Sequence, residues 1–306
     1  MNLFHKKDQY KGYNIYSMKK YVDKKRIIFT TIIVILIIIT LGFIIYYSID
    51  TTIRLANAKR FEQKLIEYES NQEELQKQEK ERQAKIPKLT DEGKQNIKGI
   101  YKSETKRVFL TFDDGPSVNT ADVLDILKSN DIKATFFVLG TQVEKMPEMV
   151  KRAYQEGHYI ANHGYSHQYS QIYSSPETVL QEFNQCNSAV EKAIDVPEYN
   201  SHLFRFPGGS VGGKYAKLKA EAVTLLEQNN IMHVDWNALT GDAEKSSPDE
   251  EYLMNNLQKT TQNKNSIVIL MHDAQAKRVT VEFLPKLIEF FQQQGYQFEN
   301  FYSIIK

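Results

Sequence analysis

Cysteine is almost absent from this chain: Cys186 stands alone among 306 residues. No disulfide can close within the chain and no cysteine-based zinc site can form, so the lone thiol is read as a small buried hydrophobe. An excess of charge of either sign is missing too. Lys and Arg number 39 against 38 Asp and Glu, a balance that offers no field for a polyanion, and no nucleic-acid partner is expected. Glycine and proline are lacking altogether from Thr51 to Arg82, which removes the usual helix breakers there. No internal repeat appears. Hydrophobic residues, at 41%, suffice for a core but are unevenly spread.

Residues 1–26 are polar and basic, with Lys6, Lys7, Lys11, Lys19, Lys20 and Lys24-Lys25-Arg26 against Asp8 and Asp23. Ile27 to Ile49 is then almost wholly apolar, long enough to cross a hydrocarbon layer of about 30 Å at about 1.5 Å per residue. Tyr46 and Tyr47 sit where an interfacial belt would lie. The basic flank predicts a single-pass cell-membrane anchor, 27–49, with a cytoplasmic tail, 1–26, and everything after Asp50 outside. A cleaved signal peptide is the rival, given Ala56-Asn57-Ala58. The apolar run is longer than a usual signal core, however, and the alanines lie well beyond its end.

Glu, Gln, Lys and Arg dominate from Thr51 to Arg82, and Leu55, Phe61, Leu65, Ile66 and Leu75 hold no sustained heptad. A solvated helix is expected, ended by Pro87 and followed by a polar connector, so that 50–103 forms a helical stalk and linker. A separate catalytic domain should occupy 104–306.

In that domain strand-like runs alternate with helix-length amphipathic segments. The strand candidates are 108–112, 134–139, 159–162, 203–206, 231–236, 267–271 and 296–301; the helical ones are 120–129, 147–156, 176–193, 214–228, 248–259 and 280–294. Asn119 and Ser175 are candidate helix caps. Alternation of this kind predicts an α/β fold on a parallel sheet. Roughly 200 residues is short for eight βα units, and seven strand candidates point to a distorted, incomplete (β/α) barrel.

Catalytic groups gather at the C-terminal ends of parallel strands, and the unusual residues fall there. Asp113-Asp114 follow the first run, His163 and His167 the third (N-H-G-Y-S-H), Arg205 the fourth (F-R-F-P-G-G-S), Asp235-Trp236 the fifth and His272-Asp273 the sixth. Alone, Asp113-Asp114-Gly115 reads as a turn whose acids face water; at a buried strand end the two carboxylates repel and call for a cation or a shared proton. Two histidines and one carboxylate can hold a divalent ion with positions left open. Asp114, His163 and His167 form such a set, leaving Asp113 as general base with Arg205 orienting it. His272 is the candidate general acid and Asp235 its partner, with Asp242 and Asp273 competing for that place. Trp236 is wall, core or a sugar-stacking surface. His5, His158, His202 and His233 are read as structural or surface residues.

The set T-F-D-D-G, H-x-x-x-H, R-x-P, D-W and L-x-H, in that order, closely resembles the polysaccharide deacetylases (NodB-homology domains, carbohydrate esterase family 4) over about residues 105–300. The resemblance implies a distorted (β/α) barrel and metal-dependent removal of acetyl groups from N-acetylated sugars, commonly with zinc; cobalt and manganese are alternatives. It implies Asp113 as catalytic base, Asp114, His163 and His167 as metal ligands, Arg205 as partner of the base, Asp235 as partner of the acid and His272 as the acid. Pro207, Gly208, Trp236 and Leu270 would contact substrate, the Gly208 N–H helping to bind the oxyanion. Two departures stand out. Gly164 replaces the Ser or Thr that often follows the first metal histidine, which would leave support to Ser166. Gly208-Gly209 replace the aromatic that often follows the R-x-P proline, which would open the subsite. With an anchor ahead of the domain, N-acetylglucosamine of peptidoglycan is the expected substrate. Chitin oligomers, exopolysaccharide and acetylxylan are the alternatives, and an inactive glycan-binding protein is the reading from another class.

Overall fold

The computed structural model describes residues 15–84 and 86–305. The chain divides into two units, Met1–Gln78 and Glu79–Lys306. A single helix, α1 (Ile15–Ala84), runs for 70 residues and stops before Pro87, whose ring disfavours helical backbone in the residue ahead of it. All side chains from Ile27 to Ile49 are exposed. Within this apolar stretch the hydroxyls of Thr30, Thr31, Thr40 and Ser48 donate to carbonyls one turn earlier, so the few polar groups are satisfied inside the helix, as a bilayer requires. By length and composition α1 is apolar enough to cross a membrane. The first fourteen residues of the basic tail lie outside the described residues.

The second unit opens with α2 (Asp91–Lys98), capped by Thr90, which accepts from the Gly93 N–H. Then follow β1 (Arg107–Asp113), α3 (Thr120–Ser129), β2 (Thr135–Val138), α4 (Gly140–Lys145), α5 (Pro147–Gln155) and β3 (Tyr159–Asn162). Next come α6 (Tyr169–Ile172), α7 (Pro176–Ile194), β4 (Leu203–Phe204), α8 (Ala216–Gln228), β5 (Met232–His233) and β6 (Ala238–Leu239). The chain finishes with α9 (Glu250–Thr261), β7 (Ser266–His272), α10 (Arg278–Gln293), β8 (Gln297–Glu299) and a 3₁₀ turn at Phe301–Ser303. Ser175 caps α7 as expected, accepting from the Thr178 N–H. Asn119 does not cap α3; its amide instead donates to the carbonyls of Ala274 and Gln275.

The strands form one parallel sheet in the order β5-β4-β3-β2-β1-β7-β6, curled into an incomplete barrel. β8 lies along the first half of β1, at Arg107–Phe109, while β2 pairs with the second half at Thr111–Asp113. All seven expected strands are present. The eighth, β6, was not expected, because two residues are too short to show alternation.

Side chains alternate across the sheet with period two. From β1, Val108, Leu110 and Phe112 enter the layer beneath the surrounding helices, with Val123, Leu124, Leu284 and Leu287. Phe109 faces the barrel interior with Phe137, Tyr159, Leu203, Met232 and Val268. Ile97 and Ile100 belong to this same inner cluster, with Phe301, Ile304 and Ile305. The supposed polar connector therefore contains a helix whose apolar end packs into the barrel, and the folded unit begins ahead of residue 104. Between Pro87 and residue 104 only Leu89, Ile97 and Ile100 are strongly apolar, too few to register as a core element by composition.

Candidate active site

The alternation that buries Phe109 inward also points Thr111 and Asp113 inward, at the C-terminal end of β1. Asp113 lies beside His272 of β7 in the strand register and is 2% exposed. Arg205, just past β4 and fully buried, reaches across the interior. Its Nη1 donates to Asp113 Oδ1 at 2.8 Å and to Thr111 Oγ1 at 2.7 Å. Its Nε and Nη2 donate to the carbonyls of Val234 and Asp235. The guanidinium also stacks on Phe137, 3.9 Å from the ring centre. Burial pushes the Asp113 carboxyl up from the ordinary carboxylate range, and the Arg205 charge pulls it part of the way back. A carboxyl held in place by a guanidinium at the cavity wall is positioned to serve as a general base.

Asp114 turns away from its neighbour through left-handed backbone (φ 71°), a conformation that costs an ordinary residue energy and recurs at functional sites. Its Oδ1 lies 3.5 Å from His163 Nε2 and 3.4 Å from His167 Nε2. The donor atoms of Asp114, His163 and His167 all fall within 4.8 Å of one another. His163 Nδ1 lies 2.8 Å from the Arg205 carbonyl, which assigns the ring proton to Nδ1 and leaves the Nε2 lone pair facing Asp114. Burial drives the His163 pKa down to about 3, against the attraction of Asp114, so the ring is neutral. Asp114 Oδ1 is buried without a hydrogen-bond partner among the described residues. An orphaned carboxylate oxygen facing two imidazole nitrogens fits a divalent cation.

Glu182 braces this loop. Its Oε2 accepts from the N–H groups of Tyr165 and Ser166, and its Oε1 from the Ser166 hydroxyl. Ser166 therefore supports the histidines through Glu182, and Gly164, at φ +89°, supplies a left-handed turn that a side chain would strain.

His272 faces Asp113 from β7, but its partner is Asp242, not Asp235. His272 Nδ1 lies 3.0 Å from Asp242 Oδ1, and the His272 N–H donates to Asp242 Oδ2 at 2.8 Å. Thr280 Oγ1 donates to the same oxygen. Asp235 instead accepts from the Ser210 N–H and hydroxyl. The correction follows from the strands: 231–236 is not one strand but β5 at Met232–His233, and the next strand end, after β6, delivers Thr240-Gly241-Asp242. Burial lowers the affinity of His272 for its proton, but the hydrogen bond and charge of Asp242, helped by Asp113 and Asp114, more than compensate and raise its pKa to about 9. The imidazole is protonated at neutral pH.

These groups line a cavity of about 340 Å³ together with Tyr169, Gly208, Trp236 and Leu270. Pro207 is buried and does not line it; its carbonyl accepts from the Tyr173 hydroxyl at 2.7 Å. The Gly208 N–H has no acceptor among the described residues. Of the remaining histidines among the described residues, His158 is buried and accepts from the Ala134 N–H, a structural role, and His202 and His233 do not line the cavity.

Comparison with known proteins agrees with this geometry. Residues 101–225 match the family model described as polysaccharide deacetylase. A peptidoglycan-N-acetylglucosamine deacetylase of Bacillus cereus is 31% identical over 203 residues, covering 66% of this chain and 89% of that protein. A second one from the same organism is 32% identical over 205 residues, covering 65% and 71%. Among solved structures, a Streptococcus mutans CE4 esterase superposes with a TM-score of 0.62 at 28% identity, over 70% of this chain and 92% of that one. The catalytic domain of a Eubacterium rectale peptidoglycan N-acetylglucosamine deacetylase gives 0.60 at 31% identity, over 65% and 90%. This chain belongs to the polysaccharide deacetylase family of CE4 hydrolases.

Proposed function

We propose that this protein removes the acetyl group from N-acetylglucosamine residues of peptidoglycan, working from the outer face of the cell membrane to which α1 anchors it. The observation that carries the chemistry is the pairing across one cavity of a carboxylate and an imidazolium, Asp113 and His272, beside the Asp114, His163 and His167 donor set. A divalent cation held by that set, zinc in the first instance with cobalt or manganese as alternatives, would polarise the acetyl carbonyl and acidify water. Asp113 takes the proton of the attacking water while Arg205 holds the carboxylate in place. The Gly208 N–H donates to the oxygen on which negative charge develops. As the carbon–nitrogen bond breaks, His272 gives its proton to the departing nitrogen, and acetate and a free amine result. Asp242 keeps the imidazole charged and oriented.

The wall substrate is supported by the names of the Bacillus cereus and Eubacterium rectale relatives and by an anchor that would hold the enzyme against the wall. Acetate release from peptidoglycan fragments, chitin oligomers, a poly-N-acetylglucosamine exopolysaccharide and acetylxylan tests it. Peptidoglycan should be the best substrate, and no release from any of them with zinc, cobalt or manganese supplied would sink the reading. Asp113→Asn should abolish turnover with metal still bound, whereas His167→Ala should lose the metal.

A further inference from the structure

Among the residues that line the cavity without a part in the chemistry above is a tyrosine with an unused polar atom. Tyr169, in α6, lies two residues beyond His167, is 41% exposed, and its hydroxyl makes no hydrogen bond among the described residues. Its ring is held edge-on against Tyr173, 5.6 Å between centres. Tyr173 in turn donates to the Pro207 carbonyl and lies beneath the Lys219 ammonium, which donates to the Gly209 carbonyl at 2.6 Å. One framework thus fixes both Tyr169 and the 207–209 loop.

The fit between them is close. Gly208 is left-handed (φ +74°), and a Cβ placed on it would stand 2.6 Å from the Tyr169 oxygen and 3.3 Å from Cζ. Such an approach is one that real side chains do not make, so the phenol occupies space that any other residue at 208 would take. The next glycine, Gly209, is also left-handed, and its Cβ would meet the Trp236 ring at 3.4 Å. That distance is ordinary van der Waals contact, so it is the missing side chain at Gly208, and not at Gly209, that makes room for an aromatic ring. The subsite is not simply opened by the missing side chain at 208; it is refilled from α6.

We propose that Tyr169 is a specificity-determining residue, lodged over Gly208, whose free hydroxyl hydrogen-bonds the bound N-acetylated sugar. This rests on the deacetylase reading. The hydroxyl stands beside the backbone of Gly208, and with the proton transfers assigned to Asp113 and His272 its part is to hold the sugar.

The test uses the full chain in detergent, zinc-loaded and carrying Asp113→Asn to stop turnover, with the affinity for the N-acetylglucosamine tetramer measured by calorimetry. Adding Tyr169→Phe, which deletes only the hydroxyl, should weaken binding by about three- to tenfold, as expected for one hydrogen bond. With Asp113 intact, the same substitution should raise KM by a similar factor and leave kcat near the parent value. Gly208→Ala should weaken binding on its own, and by less when the phenolic oxygen has already been removed. Equal affinities with and without the hydroxyl, in a chain that releases acetate, would overturn this inference alone; so would a fall in kcat at unchanged KM. Failure of the parent chain both to bind the tetramer and to release acetate would overturn the deacetylase reading along with it.

Discussion

Asp113 and Asp114 are neighbours in sequence with unlike surroundings. Pleating sends Asp113 into the barrel against Arg205, and the left-handed turn at Asp114 brings its carboxylate to two imidazoles. Adjacent like charges would ordinarily force one carboxyl to protonate; here the guanidinium and the histidine pair divide them. The acid side depends on Asp242. His272 has a pKa raised to about 9, so its proton is present from neutral pH up to that value and lost above it, and the alkaline limb of kcat against pH should fall near there. Removing the Asp242 charge leaves burial to pull the pKa down. Asp242→Asn should therefore shift the alkaline limb to lower pH and cut kcat at neutral pH by roughly 10²-fold or more, the order of general acid catalysis. Asp235→Asn should leave the limb where it is, with any loss tracing to the Ser210 loop. Equal pH profiles for the two variants would refute the Asp242 assignment. Asp113, Asp114, His163, His167 and His272, to which the proposal gives the parts of base, metal ligands and acid, were all legible as polar residues at strand ends, because that placement is written in the order of apolar runs. The Asp242 partnership was not, because it depends on a strand of two residues.

Among the elements, α2 is the one whose importance composition conceals. Its polar face suits a linker, yet Ile97 and the following Ile100 are 3% and 0% exposed within the barrel interior. A fragment starting at residue 104, where the strand pattern begins, would leave that end of the core open. It should melt well below one starting at residue 79, and in the longer fragment Ile100→Ala should cost about 2–5 kcal/mol, the range for emptying a buried isoleucine site. Thermal unfolding followed by circular dichroism checks both; equal melting temperatures for the two fragments would show that α2 is dispensable. β1 is the opposite case. Its apolar run is bounded by charge at both ends and it is central to the sheet, so its limits could be read to within a residue.

At the scale of the whole chain, a basic segment, an apolar stretch and a charged helix precede the hydrolase unit. With α1 exposing every residue from Ile27 to Ile49, the intact chain should partition with membranes and resist extraction by high salt or alkali, while a chain beginning at residue 79 should remain in the soluble fraction. Fractionation with detection of the hydrolase unit decides this. Recovery of the intact chain in the salt wash would rule out an integral anchor.

What the sequence determined by itself is what depends on local order. The apolar run implies a helix long and apolar enough to span a membrane, alternating strands and helices imply a parallel sheet, and the rule that strand ends carry the site brings Asp113, Asp114, His163, His167, Arg205 and His272 to one rim. Tertiary structure decided the pairings across the barrel. Asp242 and not Asp235 reaches His272, Ile97 and Ile100 close the interior, and Tyr169 fills the space over Gly208. These contacts join residues tens of positions or more apart, and their distances follow from how the sheet curls and where short elements end. No pattern of neighbouring residues encodes that.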